Sequence, residues 1–269
     1  MQFALNHMAA PRLGIADFFA LAASLGIRAV EIRNDLDGNA ILDGTPPAAV
    51  RQQAETHGLK IISINALQRF NEWTPMRTKE AEALIAYARD CGAEALVLVP
   101  TNDGTGGAEG ERQQNLREAL TALKPLLAAA GVIGLVEPLG FSACSLRSKR
   151  EAMEAIRDIG GEAVFRLVHD TFHHHLAGEP DLYPALTGLV HISGVTDPGI
   201  ATEALRDSHR VLVDAGDRLD NVGQIRTLLA GGYQGPLSFE PFAASVHAID
   251  APGTALRASM DHIRASISR

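Results

Sequence analysis

Short apolar runs rich in β-branched residues alternate along this chain with longer segments of helical period. The runs are Phe3–Asn6, Ala29–Arg33, Ile61–Asn65, Ala95–Val99, Ile133–Glu137, Val164–Asp170, Leu189–Val195 and Leu237–Glu240. Between them the period predicts helices over 15–25, 46–57, 78–91, 111–130, 148–159, 179–186, 221–231 and 252–267. Gly26, Gly58, Gly92, Gly131 and Gly160 each follow such a segment, where a left-handed residue ends a helix. Gly231-Gly232 does the same before the last run. Unbroken β–α alternation predicts a parallel sheet, and strands this continuously apolar predict one covered on both faces.

Eight such units can open into a doubly wound sheet or close into a barrel. An open sheet gathers its ligand residues at one switch point, often with a glycine-rich phosphate loop after the first strand. No such loop follows Phe3–Asn6. Polar residues stand instead at strand ends along the whole chain: Asn6, Glu31 and Arg33, Asn65, Glu137, Asp170, His191 and Glu240. In a closed barrel those ends meet at one mouth. The expected fold is therefore α/β, a single (β/α)8 TIM barrel, with residues 1–269 as one domain. The glycine-rich stretch Thr101–Gly107 reads as an ordinary βα connection rather than a mobile rim loop. Ser193–Asp220 is the longest segment without periodicity, and a loop of that length in a compact domain is often functional.

The chemistry gathers where four runs end in a carboxylate or an imidazole. They are Ile133-Gly134-Leu135-Val136-Glu137, Leu167-Val168-His169-Asp170, Gly188-Leu189-Val190-His191 and Pro236-Leu237-Ser238-Phe239-Glu240. Carboxylates brought together without a cation would repel one another and be costly to desolvate. Glu137, Asp170, His191 and Glu240 thus predict one divalent-metal site. Three carboxylates and one imidazole, without thiolates, suit Mn²⁺, Mg²⁺, Co²⁺ or Zn²⁺. With the ion bound, these four ligands leave roughly one net negative charge. Three histidines follow Asp170. His173 is placed to meet a substrate hydroxyl, whereas His174 and His175 read as helix-start or surface residues. His169 should point away from the aspartate beside it. Phe70, Trp73 and Phe242 are equally candidates for pocket wall and for core.

Composition narrows the partners. The chain has 269 residues, 46% hydrophobic and 21% charged, enough apolar surface for a large core. A formal charge of −8 opposes nucleic-acid binding. No apolar run reaches 18 residues and no charged-then-apolar leader is present, so neither a membrane partner nor a signal peptide is expected. Cys91 and Cys144, the two cysteines, lack ligand spacing and read as buried free thiols of a cytoplasmic protein. A homodimer is the expected assembly.

The whole chain resembles the xylose isomerase-like (β/α)8 barrel superfamily of sugar isomerases, epimerases and endonuclease IV-type enzymes. Within it, the chain is most similar to the 2-keto-myo-inositol isomerase (inosose isomerase) group. The stretches that carry the likeness are Val30-Glu31-Ile32-Arg33, Asn65-Ala66-Leu67 with Phe70-Asn71, Glu137, and Asp170-Thr171-Phe172-His173-His174-His175. His191, Asp207 with His209-Arg210, and Phe239-Glu240-Pro241-Phe242 complete it. The chain departs at Asp197, where sugar epimerases commonly carry an arginine. It departs again at Val213-Asp214-Ala215-Gly216-Asp217, where the inositol isomerase pattern has a Pro-Gly pair.

The resemblance implies proton transfer between carbons next to the carbonyl of a keto-inositol or sugar, through an enediolate. Glu137 and Glu240 would be the acid–base pair. His173 and Arg210, with Arg33 and Asn65 from other strands, would bind substrate. A ketose 3-epimerase or an aldose–ketose isomerase on open-chain sugars is the nearest alternative. An endonuclease IV-like phosphodiesterase needs more metal-binding histidines and a basic rim. A non-catalytic sugar-binding barrel would not need both glutamates.

Overall fold

The computed structural model describes residues 1–36, 38, 41 and 43–268. Its strands are β1 (Phe3–Asn6), β2 (Ala29–Arg33), β3 (Lys60–Gln68), β4 (Ala95–Val99), β5 (Ile133–Val136), β6 (Phe165–Asp170), β7 (Thr187–Ile192) and β8 (Leu237–Phe239). They pair in parallel in chain order, and β8 returns to β1, which closes the barrel. The helices are α1 (Ile15–Ser24), α2 (Pro47–Thr56), α3 (Pro75–Cys91), α4 (Glu111–Ala130), α5 (Lys149–Asp158), α6 (Thr171–Ala177), α7 (Asn221–Ala230), α8 (Ala244–His247) and α9 (Pro252–Ile267).

Local signals start and stop these helices. Thr74 caps α3 through its hydroxyl, with Pro75 at the first helical position, and Ser148 caps α5 in the same way. The five glycines expected to end helices all adopt positive φ, from 58° at Gly160 to 78° at Gly92. No helix among the described residues is long and apolar enough to cross a membrane.

Strand alternation divides the core in two. Val30 and Ile32 of β2 face the helices and belong to the large outer cluster. Val97, Leu135, Val168 and Leu189 form a second cluster of residues on β4, β5, β6 and β7. This second cluster packs the barrel interior in the manner of a filled (β/α)8 barrel.

Three expectations shift locally, the first being the strand expected over Leu189–Val195, which is β7 and ends at Ile192. The segment 179–186 forms no α-helix: Pro180 and Pro184 break it, and only the 3-10 turn Pro184–Leu186 remains. The helix of this unit is α6, which begins immediately after β6. Asp170 starts it by accepting the His173 N–H at 3.0 Å on Oδ1, so the strand end is also the helix cap. The strand expected over Ile61–Asn65 extends to Gln68, alongside β4. Ser193–Asp220 is irregular as expected, with short 3-10 turns at Thr202–Ala204 and Asp207–His209.

Candidate metal centre

Strand geometry sets three of the four expected donors. Leu135, Val168 and Leu189 belong to the interior cluster. Two residues further on the same face stand Glu137, Asp170 and His191. Glu240 follows β8 directly. All four are buried, and one ligand atom from each lies within 4.8 Å of all the others.

His191 is the pivot. Its Nδ1 lies 2.9 Å from Glu137 Oε1, 3.3 Å from Glu240 Oε2 and 3.9 Å from Asp170 Oδ2. Its Nε2 faces the other way, 3.1 Å from Oε2 of Glu31. Glu31 is fully buried and also accepts from Ser63 Oγ at 2.6 Å, Asn65 Nδ2 at 2.7 Å and the Ser238 hydroxyl. Burial alone would raise its pKa, but His191 and the Ser238 and Ser63 hydroxyls bring it down to about 2. For His191, burial opposes the charged form, yet Glu240, Glu31 and Glu137 together hold its pKa well above the ordinary value.

Asp170 and Glu240 are held by two buried arginines. Arg210 Nη2 donates to Asp170 Oδ2 at 2.5 Å and to Glu240 Oε2 at 3.1 Å. Its Nε is fixed by Ser193 Oγ at 2.9 Å and its Nη1 by Asp207 at 3.2 Å, with the Phe242 ring 4.6 Å from the guanidinium carbon. Arg33 Nη1 donates to Glu240 Oε1 at 2.8 Å, while its Nε and Nη2 clamp Asp35 at 2.8 Å each. Asn6 Nδ2 adds a third donor to Glu240, at 3.2 Å. Burial opposes ionisation of Asp170, but Arg210, His173 and His191 hold its pKa well below the usual carboxylate range. Glu240 moves the other way, to about 7, because burial and the neighbouring Glu137 outweigh His191, Arg210 and Arg33.

These contacts allow the fit of a metal to be tested. Glu31, Glu137, Asp170 and Glu240 are buried carboxylates, and Arg33 and Arg210 are buried guanidiniums. Among these buried groups two negative charges are left over, which one divalent cation neutralises with His191 uncharged; Asp35 and Asp207, the other partners of the two arginines, are partly exposed to water. The balance of roughly one negative charge expected from the four ligands alone is thus corrected by Glu31, Arg33 and Arg210. The donor set is oxygen with one nitrogen, and the Nε2 of His191 is held by a carboxylate, as in many metal-bound histidines.

A cavity of about 390 Å³ lies over the centre, lined in part by Glu137, Glu240, His173, Arg33, Arg210 and Asn65. Phe242 forms part of its wall. Phe70 is wholly buried in the outer core, and Trp73 is partly buried against it. His173 is buried with its ring edge-on to Phe141 and Phe172, at 5.1 and 5.2 Å. Burial lowers its pKa, and Nδ1 accepts the Gly140 N–H at 3.2 Å, so the neutral ring keeps its proton on Nε2. Asn65 spends its amide on Glu31 and Ser63, and Arg33 and Arg210 spend theirs on carboxylates. His174 and His175 lie in the last turn of α6, not at its start, and His174 Nδ1 is 2.6 Å from Lys149 Nζ. His169 turns outward to Gln224 at 2.8 Å, as strand alternation requires. Glu31 was legible only as a polar strand residue; its charge between Val30 and Ile32 is the signal that could have marked it as His191's partner.

A closed parallel barrel with three carboxylates and an imidazole converging at the C-terminal ends of β5–β8 defines a (β/α)8 protein with a candidate mononuclear metal centre. The xylose isomerase-like TIM barrel family model matches residues 19–266, and the chain belongs to that family. A crystal structure of a xylose isomerase domain-containing protein from Salmonella typhimurium LT2 is 36% identical, with a TM-score of 0.90, over 100% of this chain and 97% of that one. The IolI protein with a bound zinc atom is 20% identical, with a TM-score of 0.86, over 100% and 98% of the two chains. D-psicose 3-epimerase from Clostridium cellulolyticum H10, solved with D-tagatose, is 15% identical, with a TM-score of 0.72, over 99% of each chain. None of the curated proteins compared with the chain matches it.

Proposed function

We propose that this protein is a divalent-metal-dependent isomerase or epimerase that moves a proton between carbons beside the carbonyl of a keto-inositol or ketose. The observation that carries this reading is that Glu137 and Glu240 line one cavity and belong to one four-donor cluster. A C–H beside a carbonyl is acidified only when the oxygen taking up its electrons is stabilised. A bound divalent ion supplies that positive charge. Glu137 and Glu240 then remove the proton from one carbon and return one to the other. The Nε2–H of His173 is a donor for a substrate oxygen. Arg33, Arg210 and Asn6 orient the Glu240 carboxylate by holding both of its oxygens. The cavity, about 390 Å³, falls within the ~300–1,000 Å³ range of small-molecule sites.

The resemblance in sequence makes 2-keto-myo-inositol the first substrate to test. NMR would follow deuterium entering its C–H positions from solvent, with metal-stripped protein and again after adding Mn²⁺. Metal-dependent exchange with product formation is expected. Exchange confined to ketohexoses would favour the second reading, a ketose 3-epimerase, which the likeness in fold to D-psicose 3-epimerase supports. Absence of exchange with both substrate classes would overturn the proposal.

A further inference from the structure

Beside the inner cavity lies a second one of about 460 Å³. Asn102, Phe141 and Asp207 line both, so the two adjoin. The outer cavity is lined by two arginines that are braced without being neutralised. Arg147 donates from Nε and Nη2 to the Gly140 carbonyl at 3.1 and 2.8 Å, and from Nη2 to the Leu176 carbonyl at 3.3 Å. Arg206 donates from Nη1 to the carbonyls of Glu203 and Leu205 at 3.0 and 2.6 Å. Among the described residues neither forms an ion pair with a carboxylate. That contrasts with Arg33, Arg210 and Arg69, which line the inner cavity and are all paired with acids.

We infer that the outer cavity is a subsite for a carboxylate carried on a substituent of the substrate whose keto-polyol part occupies the inner cavity. The inference rests on the function proposed above for the inner cavity. Backbone carbonyls fix the direction of a guanidinium but leave its charge available; the bonds of Arg206 run from Nη1, so its Nε–Nη2 fork matches a carboxylate, while Arg147, whose Nε and Nη2 are spent on carbonyls, offers Nη1. Two acids share this wall: Asp207 lies 3.2 Å from Arg210, whose charge the carboxylates of the centre already share, and Glu203 has no cationic partner among the described residues. They leave the wall no excess positive charge, which suits a carboxylate held by the directed N–H groups of the arginines and disfavours a phosphate dianion. Phe141 and Leu176 supply apolar contact for the carbon skeleton between the two sites.

Titration calorimetry on Mn²⁺-loaded protein tests this with four probes. These are fructose, fructuronate, a keto-disaccharide whose distal unit is glucuronate, and fructose 6-phosphate. At least one carboxylated probe is expected to bind about tenfold more tightly than fructose. That advantage should shrink to under about threefold in Arg206→Met, with fructose affinity unchanged, and in Arg147→Met, where the ratio is read because Arg147 also holds the Gly140 carbonyl. Arg206 is exposed, so its variant should fold even if the Arg147 variant does not. Absence of a carboxylate preference, its survival in both variants, or a stronger preference for the phosphate would overturn the inference. Deuterium exchange read on the same samples tests the reaction separately. Its absence alongside a carboxylate preference would count against the isomerase reading and leave the subsite standing.

Discussion

His191 and Glu31 meet at 3.1 Å, nitrogen to oxygen, on the side of the imidazole opposite the three other carboxylates. Glu31 thereby selects the tautomer in which Nε2 carries the proton and Nδ1 is free to bind a cation. Glu31→Gln should keep the shape of the pocket: its carbonyl can still accept from His191, and its NH₂ can donate to Ser238. What it loses is charge. Metal affinity, measured by competition with a chelating dye, should fall roughly 10- to 100-fold, with circular dichroism unchanged. Wild-type affinity in the variant would show that the pair does not tune the centre.

Glu240 receives donors from Arg33, Arg210 and Asn6, more than any other proposed ligand. In Glu240→Gln each arginine keeps another carboxylate, Asp35 or Asp170, so folding should survive. Deuterium exchange should drop by about 10²–10⁴-fold, the usual worth of a positioned acid or base. Some metal binding through Glu137, Asp170 and His191 should remain. Exchange near the wild-type rate would rule out the two-glutamate mechanism.

Gly140 joins the loop after β5 to α6 with no room for a side chain. A Cβ there would lie 2.4 Å from the His173 carbonyl oxygen and 2.4 Å from Leu176 Cβ. Gly140→Ala should therefore cost about 1–3 kcal/mol in a urea titration, the range of overpacking. It should also weaken substrate binding, because the Gly140 N–H holds the His173 ring. An unchanged urea midpoint would mean the loop yields freely.

His7 stacks on Phe18 with ring centroids 4.2 Å apart, and burial, the largest influence, lowers its pKa to about 4. The unfolded chain takes up a proton near pH 6.5, whereas the folded chain resists until about pH 4. Between those values the unfolded state binds more protons, so stability falls as pH falls, by at most about 3 kcal/mol from this residue. His7→Gln should flatten the stability profile over that interval while leaving its slope above pH 7 unchanged. Parallel profiles for the two proteins would assign the acid sensitivity to other groups.

The register of the barrel was legible wherever one strand's own pattern decided it. Ala29–Arg33 and Ala95–Val99 coincide with β2 and β4, because alternation and apolar content are properties of a few adjacent residues. The unit after β6 was misread because Asp170 serves two structures at once. Its Oδ2 faces Arg210 while its Oδ1 caps α6, so the helix starts at Thr171, eight residues before the 179–186 segment that the period marks. The extension of β3 depends on pairing with β4, which no window within β3 contains.

Sequence by itself determined that this chain alternates strand and helix through eight units, and that Glu137, Asp170, His191 and Glu240 stand at strand ends. Those follow from side-chain periods and punctuation that act over a few residues. Tertiary structure alone decided which charges meet. Arg33 and Glu240 are 207 residues apart, and Glu31 and His191 160 apart, yet both pairs are in hydrogen-bond contact once β8 closes on β1. The pairing of Arg33 with Glu240 arises from that closure, and that of Arg210 with Asp170 from the loop after β7 packing over the end of β6. Local pattern can place a charge on a strand; only the assembled barrel sets its neighbour and its dielectric surroundings.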